Sequence, residues 1–143
     1  PFFIMKLVIE NVISADEEID LPVQFNLLKD SKNAVVQKIL SAIKNYVDFE
    51  LCDESYCVLE SGGHGHGWHR DTGSNNKMSW CKFGASILLK GDFVGGDLSY
   101  RDSAGHITKI INRKRYDLYL HSSDEEHSVA CSDGNRRVFL LFV

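Results

Sequence analysis

Proline is scarce in this 143-residue chain, which has two in all. No proline-rich linker divides it, and no low-complexity tract or internal repeat is visible. A single domain is expected over residues 1–143, long enough to bury a real core. Basic charge is not in excess either: the formal net charge is -4. The chain therefore has no overall basic footprint for DNA or RNA, and a nucleic-acid partner is not expected. Long hydrophobic runs are also missing. The apolar stretch Pro1 to Glu10 is too short to span a membrane and lacks the charged leader and cleavage site of a signal peptide. The expectation is a cytoplasmic protein with no membrane partner; the pattern does not fix an oligomeric state. Finally, none of Cys52, Cys57, Cys81 and Cys131 is spaced as C-x-x-C, so neither a zinc knuckle nor a thioredoxin-type pair is indicated. All four are expected to be reduced thiols.

What is present is the composition of a globular protein, 43% hydrophobic and 25% charged. A β-branched and aromatic stretch up to Glu10 predicts a strand, and the segment from Asn11 to Pro22 a loop. From Ser31 the period changes. Val35, Val36, Ile39, Leu40, Ile43 and Val47 fall on one helical face, with Asp30 or Ser31 as the expected cap. After Glu50, short strands alternate with Gly/Asp turns: "ESYCVLE", "WCKFGASILLK", "DLSYR", "HITKIIN", "YDLYLH" and "RRVFLLFV", with turns at "GDFVGGD", "DSAG" and "CSDGN". This pattern predicts a sandwich or jelly roll with the helix packed outside one sheet.

Histidine is concentrated in "GHGHGWHRDTG", Gly63 to Gly73. His64, His66 and His69 imitate the H-x-H-x-D-H run of zinc hydrolases, but Trp68 stands where that run needs an aspartate. "HRDTGSNN" matches the kinase catalytic loop up to Asn76, yet the chain cannot hold two kinase lobes. Glycines around His64 and His66 give no rigid frame, so both are expected to be solvated. His106 and His121, each isolated on a probable strand, are given no role. A different pattern remains in His69-x-Asp71. On an extended segment these two side chains point the same way and can reach one ion. With one distant histidine they would make the two-imidazole, one-carboxylate set of non-haem Fe(II) oxygenases. His127 is available downstream. Arg136 or Arg137 follows nine or ten residues later, at the start of an apolar strand where an arginine wants a carboxylate partner.

With these residues in place the chain resembles the Fe(II)/2-oxoglutarate-dependent dioxygenases, and most nearly their prolyl-hydroxylase-like branch. The resemblance rests on "HRD" at His69 to Asp71, "GGDL" at Gly95 to Leu98, "HSV" from His127 and "GNRR" at Gly134 to Arg137, in family order. It covers about Tyr56 to Val143. The family's tyrosine upstream of H-x-D falls here at Leu59 or Glu60, with Tyr56 a turn away, and its Tyr-Leu-Asn is replaced by Leu88 to Lys90.

The resemblance implies a mainly β fold, the double-stranded β-helix or jelly roll. Residues 54–143 would form its core, and residues 1–50 an N-terminal strand and helix on the major sheet. It implies Fe(II) on His69, Asp71 and His127. It implies 2-oxoglutarate as cosubstrate, its distal carboxylate on Arg136 or else Arg137, beside Leu98 and Val129. Dioxygen is the oxidant, and ascorbate an optional reductant. The products would be succinate, carbon dioxide and a hydroxylated substrate. A peptidyl proline leads; a small metabolite, a free amino acid or a nucleobase are alternatives. The competing class is a non-catalytic metal-binding jelly-roll module. The substrate contacts would come from the loop "TGSNNKMSW", Thr72 to Trp80, and from the N-terminal region.

Overall fold

The computed structural model describes residues 6–72, 77–90, 95–111, 113–134 and 136–143. Pro1 to Met5 of the first expected strand, residues 73–76 of the expected substrate loop (Asn76 included), residues 91–94 of the "GDFVGGD" turn, and Asn112 and Asn135 lie outside the described residues. The elements are β1 (Lys6–Ile9), α1 (Ala15–Glu18), β2 (Asn26–Leu27), α2 (Ala34–Lys44), β3 (Tyr56–Ser61), β4 (His66–His69), β5 (Phe83–Lys90), β6 (Leu98–Arg101), β7 (Ile107–Ile110), β8 (Leu118–Ser122), β9 (Glu126–Val129) and β10 (Arg137–Phe142).

The strands form two antiparallel sheets. The major sheet runs β1-β8-β5-β10-β3-β2, and the minor sheet β4-β9-β6-β7. Apart from β2–β3 and β6–β7, the neighbours in both sheets are non-sequential, the wiring of a jelly roll, as expected. Side-chain alternation divides the major sheet into two working faces. Ala85, Ile87, Leu89, Leu118, Leu120, Phe139 and Leu141 share one hydrophobic core with Val35, Val36, Ile39, Leu40 and Ile43 of α2. The alternate residues, among them Gly84, Ser86, His121, Leu140 and Phe142, belong to the opposite face. In that register Ser86 stands opposite Tyr119 and Leu140, and Gly84 opposite His121 and Phe142. In the minor sheet His127 stands between His69 on β4 and Tyr100 on β6.

Two local expectations are corrected. The cap of α2 is Asn33, whose side-chain oxygen accepts from the Val35 and Val36 amides at 3.0 Å each. Neither Asp30 nor Ser31 caps it; Ser31 instead accepts from the Asn33 amide within the preceding turn. The segment read as a loop after Asn11 contains the one-turn helix α1. Ser14 and Glu17 close it as a reciprocal capping box, a pattern that substitutes side-chain acceptors for missing helical carbonyls. Lys38 of α2 pairs with Glu17 at 2.7 Å and ties the two helices together.

All four cysteines are free thiols. Burial pushes the Cys57 and Cys81 thiols up, to about 11 and about 12, which leaves them protonated and inert. Stability therefore rests on the core. A reducing agent is expected to leave the thermal midpoint unchanged. Phe139→Ala, which empties a fully buried site, is expected to cost about 3–5 kcal/mol in urea unfolding.

Candidate metal centre and its cavity

β4 ends at His69, the chain turns, and Asp71 follows with its amide held by the Ser123 carbonyl at 3.0 Å. β9 brings His127 alongside. One ligand atom from each of His69, Asp71 and His127 lies within 4.8 Å of the others, and no other such group occurs among the described residues. Asp71 Oδ1 is 3.4 Å from His127 Nε2 and 3.7 Å from His69 Nε2. Asp71 and His127 are buried, while the His69 side chain is 40% accessible.

Both candidate ligand imidazoles are oriented through Nδ1. His69 Nδ1 is 2.7 Å from the Gly67 carbonyl and His127 Nδ1 is 2.9 Å from the Glu125 carbonyl. A carbonyl oxygen only accepts, so each Nδ1 carries the proton and donates. Each Nε2 is then the ring atom turned toward Asp71 Oδ1, the one that in a neutral ring offers the lone pair a metal ligand needs. Burial, with the His121 ring nearby, pushes the His127 pKa down to about 4, which keeps this imidazole neutral.

Asp71 is oriented by a residue whose sequence position gave it no role. His121 Nε2 donates to Asp71 Oδ2 at 2.6 Å, and the Tyr100 hydroxyl lies 3.2 Å from His121 Nδ1. Burial alone would raise the Asp71 carboxyl, but the His121 hydrogen bond and the surrounding imidazoles bring it below the usual carboxylate range. One oxygen is thus fixed by His121 and the other is left for an ion. The pair sits directly over the Gly84 backbone. A Cβ there would overlap Asp71 Oδ2 and lie 2.8 Å from His121 Nε2, so a side chain at position 84 must displace the carboxylate. Two nitrogens and one carboxylate oxygen, facing one another at these separations, suit a divalent first-row metal such as Fe(II).

Around this group is a cavity of about 730 Å³ whose lining includes His69, Asp71, His127, Leu98, Val129 and Arg136. The two candidate arginines part company here. Arg136 is buried and its Nη1 donates to Glu60 Oε1 at 3.0 Å, inside the cavity. Arg137 lies on the other side of the strand, with Nη1 3.4 Å from Glu18 of α1. Leu98 and Val129 stand opposite each other across β6 and β9. Of the other histidines, His64 is exposed. His66 is not simply solvated as expected: its Nε2 lies 2.9 Å from Glu60 Oε2. His106 stays at the surface beside Asp102.

No family model matches the chain, and no curated protein matches it. Solved structures do. A prolyl-4-hydroxylase from Pseudomonas putida aligns with a TM-score of 0.66 at 16% identity, over 96% of this chain and 83% of that one. A prolyl hydroxylase from Trichoplax adhaerens, in complex with a hypoxia inducible factor peptide fragment, gives 0.65 at 15% identity over 96% and 82%. A 2OG-Fe(II) oxygenase family protein from Burkholderia pseudomallei gives 0.57 at 14% identity; the match takes in 73% of this chain and about half of that longer protein, 49%. This chain shares their fold. The double-stranded β-helix implied by the sequence resemblance is therefore the architecture present.

Two outcomes follow for metal binding. His69→Ala, Asp71→Ala and His127→Ala are each expected to abolish stoichiometric Fe(II) binding in an anaerobic titration while the folded far-ultraviolet signature persists. His64→Ala and His66→Ala should keep it; the reverse result would favour the zinc-hydrolase ligand set. Gly84→Ala and His121→Phe are expected to weaken metal affinity by about 10–100-fold, the usual effect of losing a group that orients a ligand, measured by competition with a chelating dye.

Proposed function

We propose that this chain is an Fe(II)- and 2-oxoglutarate-dependent dioxygenase that hydroxylates a C–H bond of its substrate. The observation that carries this is the convergence of two imidazole Nε2 atoms and one free carboxylate oxygen in a cavity that also contains a buried, inward-facing arginine. The fold shared with oxygenase structures supports it. In net terms the reaction takes R–H, 2-oxoglutarate and dioxygen to R–OH, succinate and carbon dioxide, so that two electrons come from the keto acid and two from the substrate. An Fe(II) ion bound at this centre would supply the activation of dioxygen; ascorbate would serve to keep it ferrous.

The chain's own residues do the positioning. His69, Asp71 and His127 would hold the ion, with His121 and Gly84 keeping Asp71 in place. Arg136 would take the distal carboxylate of 2-oxoglutarate as a bidentate partner. Glu60 would release it and remain on His66. Leu98 and Val129 present apolar walls that exclude water from the cosubstrate. Residues 1–50 would brace the major sheet of one catalytic unit.

For the substrate we propose a peptidyl proline. The support is the peptide bound in the similar Trichoplax structure, together with Tyr56, Trp68 and Met78 in the cavity lining, which offer apolar and aromatic surface to a pyrrolidine ring. A free amino acid, a small metabolite or a nucleobase is the alternative within the same class.

The test is succinate formation by the Fe(II)-loaded protein with 2-oxoglutarate and ascorbate in air. Slow uncoupled turnover is expected without substrate, and faster turnover with a proline-containing peptide that gains the mass of one oxygen. Asp71→Ala is expected to give neither. Mass gain on a metabolite or nucleobase instead would keep the class and replace the substrate. No succinate under any condition would leave a non-catalytic metal-binding module.

A further inference from the structure

Arg136 is not the only arginine in the cavity. Arg113, between β7 and β8, also lines it, and all its recorded contacts are neutral. Its Nη2 donates to the Ser86 carbonyl at 2.7 Å and to Ser86 Oγ at 2.6 Å. Its Cζ stands 4.8 Å above the Tyr119 ring. Although part of the residue remains accessible, Nε is sealed from solvent and has no hydrogen-bond partner. No described carboxylate forms an ion pair with it. Asp117, the nearby carboxylate whose charge it feels, accepts instead from the Asn11 amide at 3.0 Å. Arg136 has the same defect on a smaller scale: Nη1 is paired with Glu60, but Nε is sealed and unpartnered.

A guanidinium held among neutral acceptors is hydrogen-bonded but not neutralised. Desolvation of such a charge is costly unless an anion joins it. The effect is large here: burial and the Arg136 charge push the Arg113 pKa down to about 10, an unusual depression for an arginine. Of the two arginines Glu60 pairs with Arg136 only, so the Arg113 charge faces the cavity with no ion-pair partner among the described residues. Ser86 fixes the position of Arg113 from the inward face of β5, opposite Leu140 on the strand that follows Arg136.

We propose that Arg113 is an anion-binding residue of this cavity, and that with Arg136 it forms a two-guanidinium receptor for the distal carboxylate of a keto diacid. This rests on the oxygenase reading of the same cavity and adds to it the residue that would select a diacid over a monoacid. Ligand entry brings the missing negative charge to Arg113, while Glu60 stays hydrogen-bonded to His66.

The test compares wild type with Arg113→Met and Arg113→Lys. The probes are 2-oxoglutarate and 2-oxopentanoate on anaerobic Fe(II)-loaded protein, and glutarate on metal-free protein, all by calorimetric titration. Arg113→Met is expected to weaken 2-oxoglutarate and glutarate on the order of tenfold or more, to leave 2-oxopentanoate and Fe(II) binding unchanged, and to hold or raise the ligand-free thermal midpoint by removing a stranded charge. Arg113→Lys is expected to restore most of the diacid affinity, and it carries the comparison should Arg113→Met not fold. A lowered midpoint with wild-type diacid affinity would show that Arg113 only tethers Ser86, and would overturn the proposal. Equal weakening of diacid and monoacid would overturn it as well. If wild type binds glutarate through Arg113 but never Fe(II), the anion site stands and the oxygenase reading falls.

Discussion

The Asp71 carboxylate is where the constraints of this fold meet. It belongs to a turn beyond β4, but it is held from the opposite sheet: His121 of β8 fixes Oδ2 at 2.6 Å. Oδ1 is thereby aimed at the Nε2 atoms of His69 and His127. A carboxylate free to rotate could chelate through both oxygens or turn to solvent. One tied at a single oxygen offers a single ligand atom in a set direction. The arrangement requires the major sheet to come close to Asp71, and that approach exists only because position 84 has no side chain. Tyr100 completes the chain of contacts from the minor sheet through His121 to Asp71. The candidate metal centre is thus a product of both sheets and not of the H-x-D segment alone.

Charge inside the barrel follows a second logic. Around the candidate ligands, the Asp71 carboxylate is held by the His121 hydrogen bond. Beside them Arg136 is shared with Glu60, and Arg113 has only neutral partners among the described residues. Buried charge of one sign is expensive in a protein without a ligand, and is the expected state of a site whose counter-charge arrives with one. On the proposed reading, the two regions together suit a molecule that is a chelator at one end and an anion at the other.

The sequence made some of this visible and hid the rest for a definite reason. α2 was legible because five buried apolar residues repeat on one helical face, and the strands because Gly/Asp turns separate β-branched runs. His69, Asp71 and His127 were legible through local spacing and order. The choice between Arg136 and Arg137 was not open to hydrophobicity, since both faces of β10 are apolar: one faces the α2 core and the other the cavity. Sheet alternation places Arg136 on the cavity side and Arg137 against Glu18. His121, Gly84 and Arg113 gave no signal. Their roles come from cross-strand register, which pairs residues dozens of positions apart and leaves no period along the chain. α1 did leave a signal, the Ser14 and Glu17 capping pair, in a segment otherwise composed like a loop.

The most direct measurement is the visible absorption of the anaerobic protein with Fe(II) and 2-oxoglutarate. A keto acid chelated to ferrous iron at this centre gives a weak charge-transfer band that neither component gives alone. The account requires that band in the wild type, its absence in Asp71→Ala, and its retention in His64→Ala. A wild-type protein that binds Fe(II) tightly yet shows no band at saturating 2-oxoglutarate would contradict it, because the ion would then sit in a cavity that does not admit the cosubstrate.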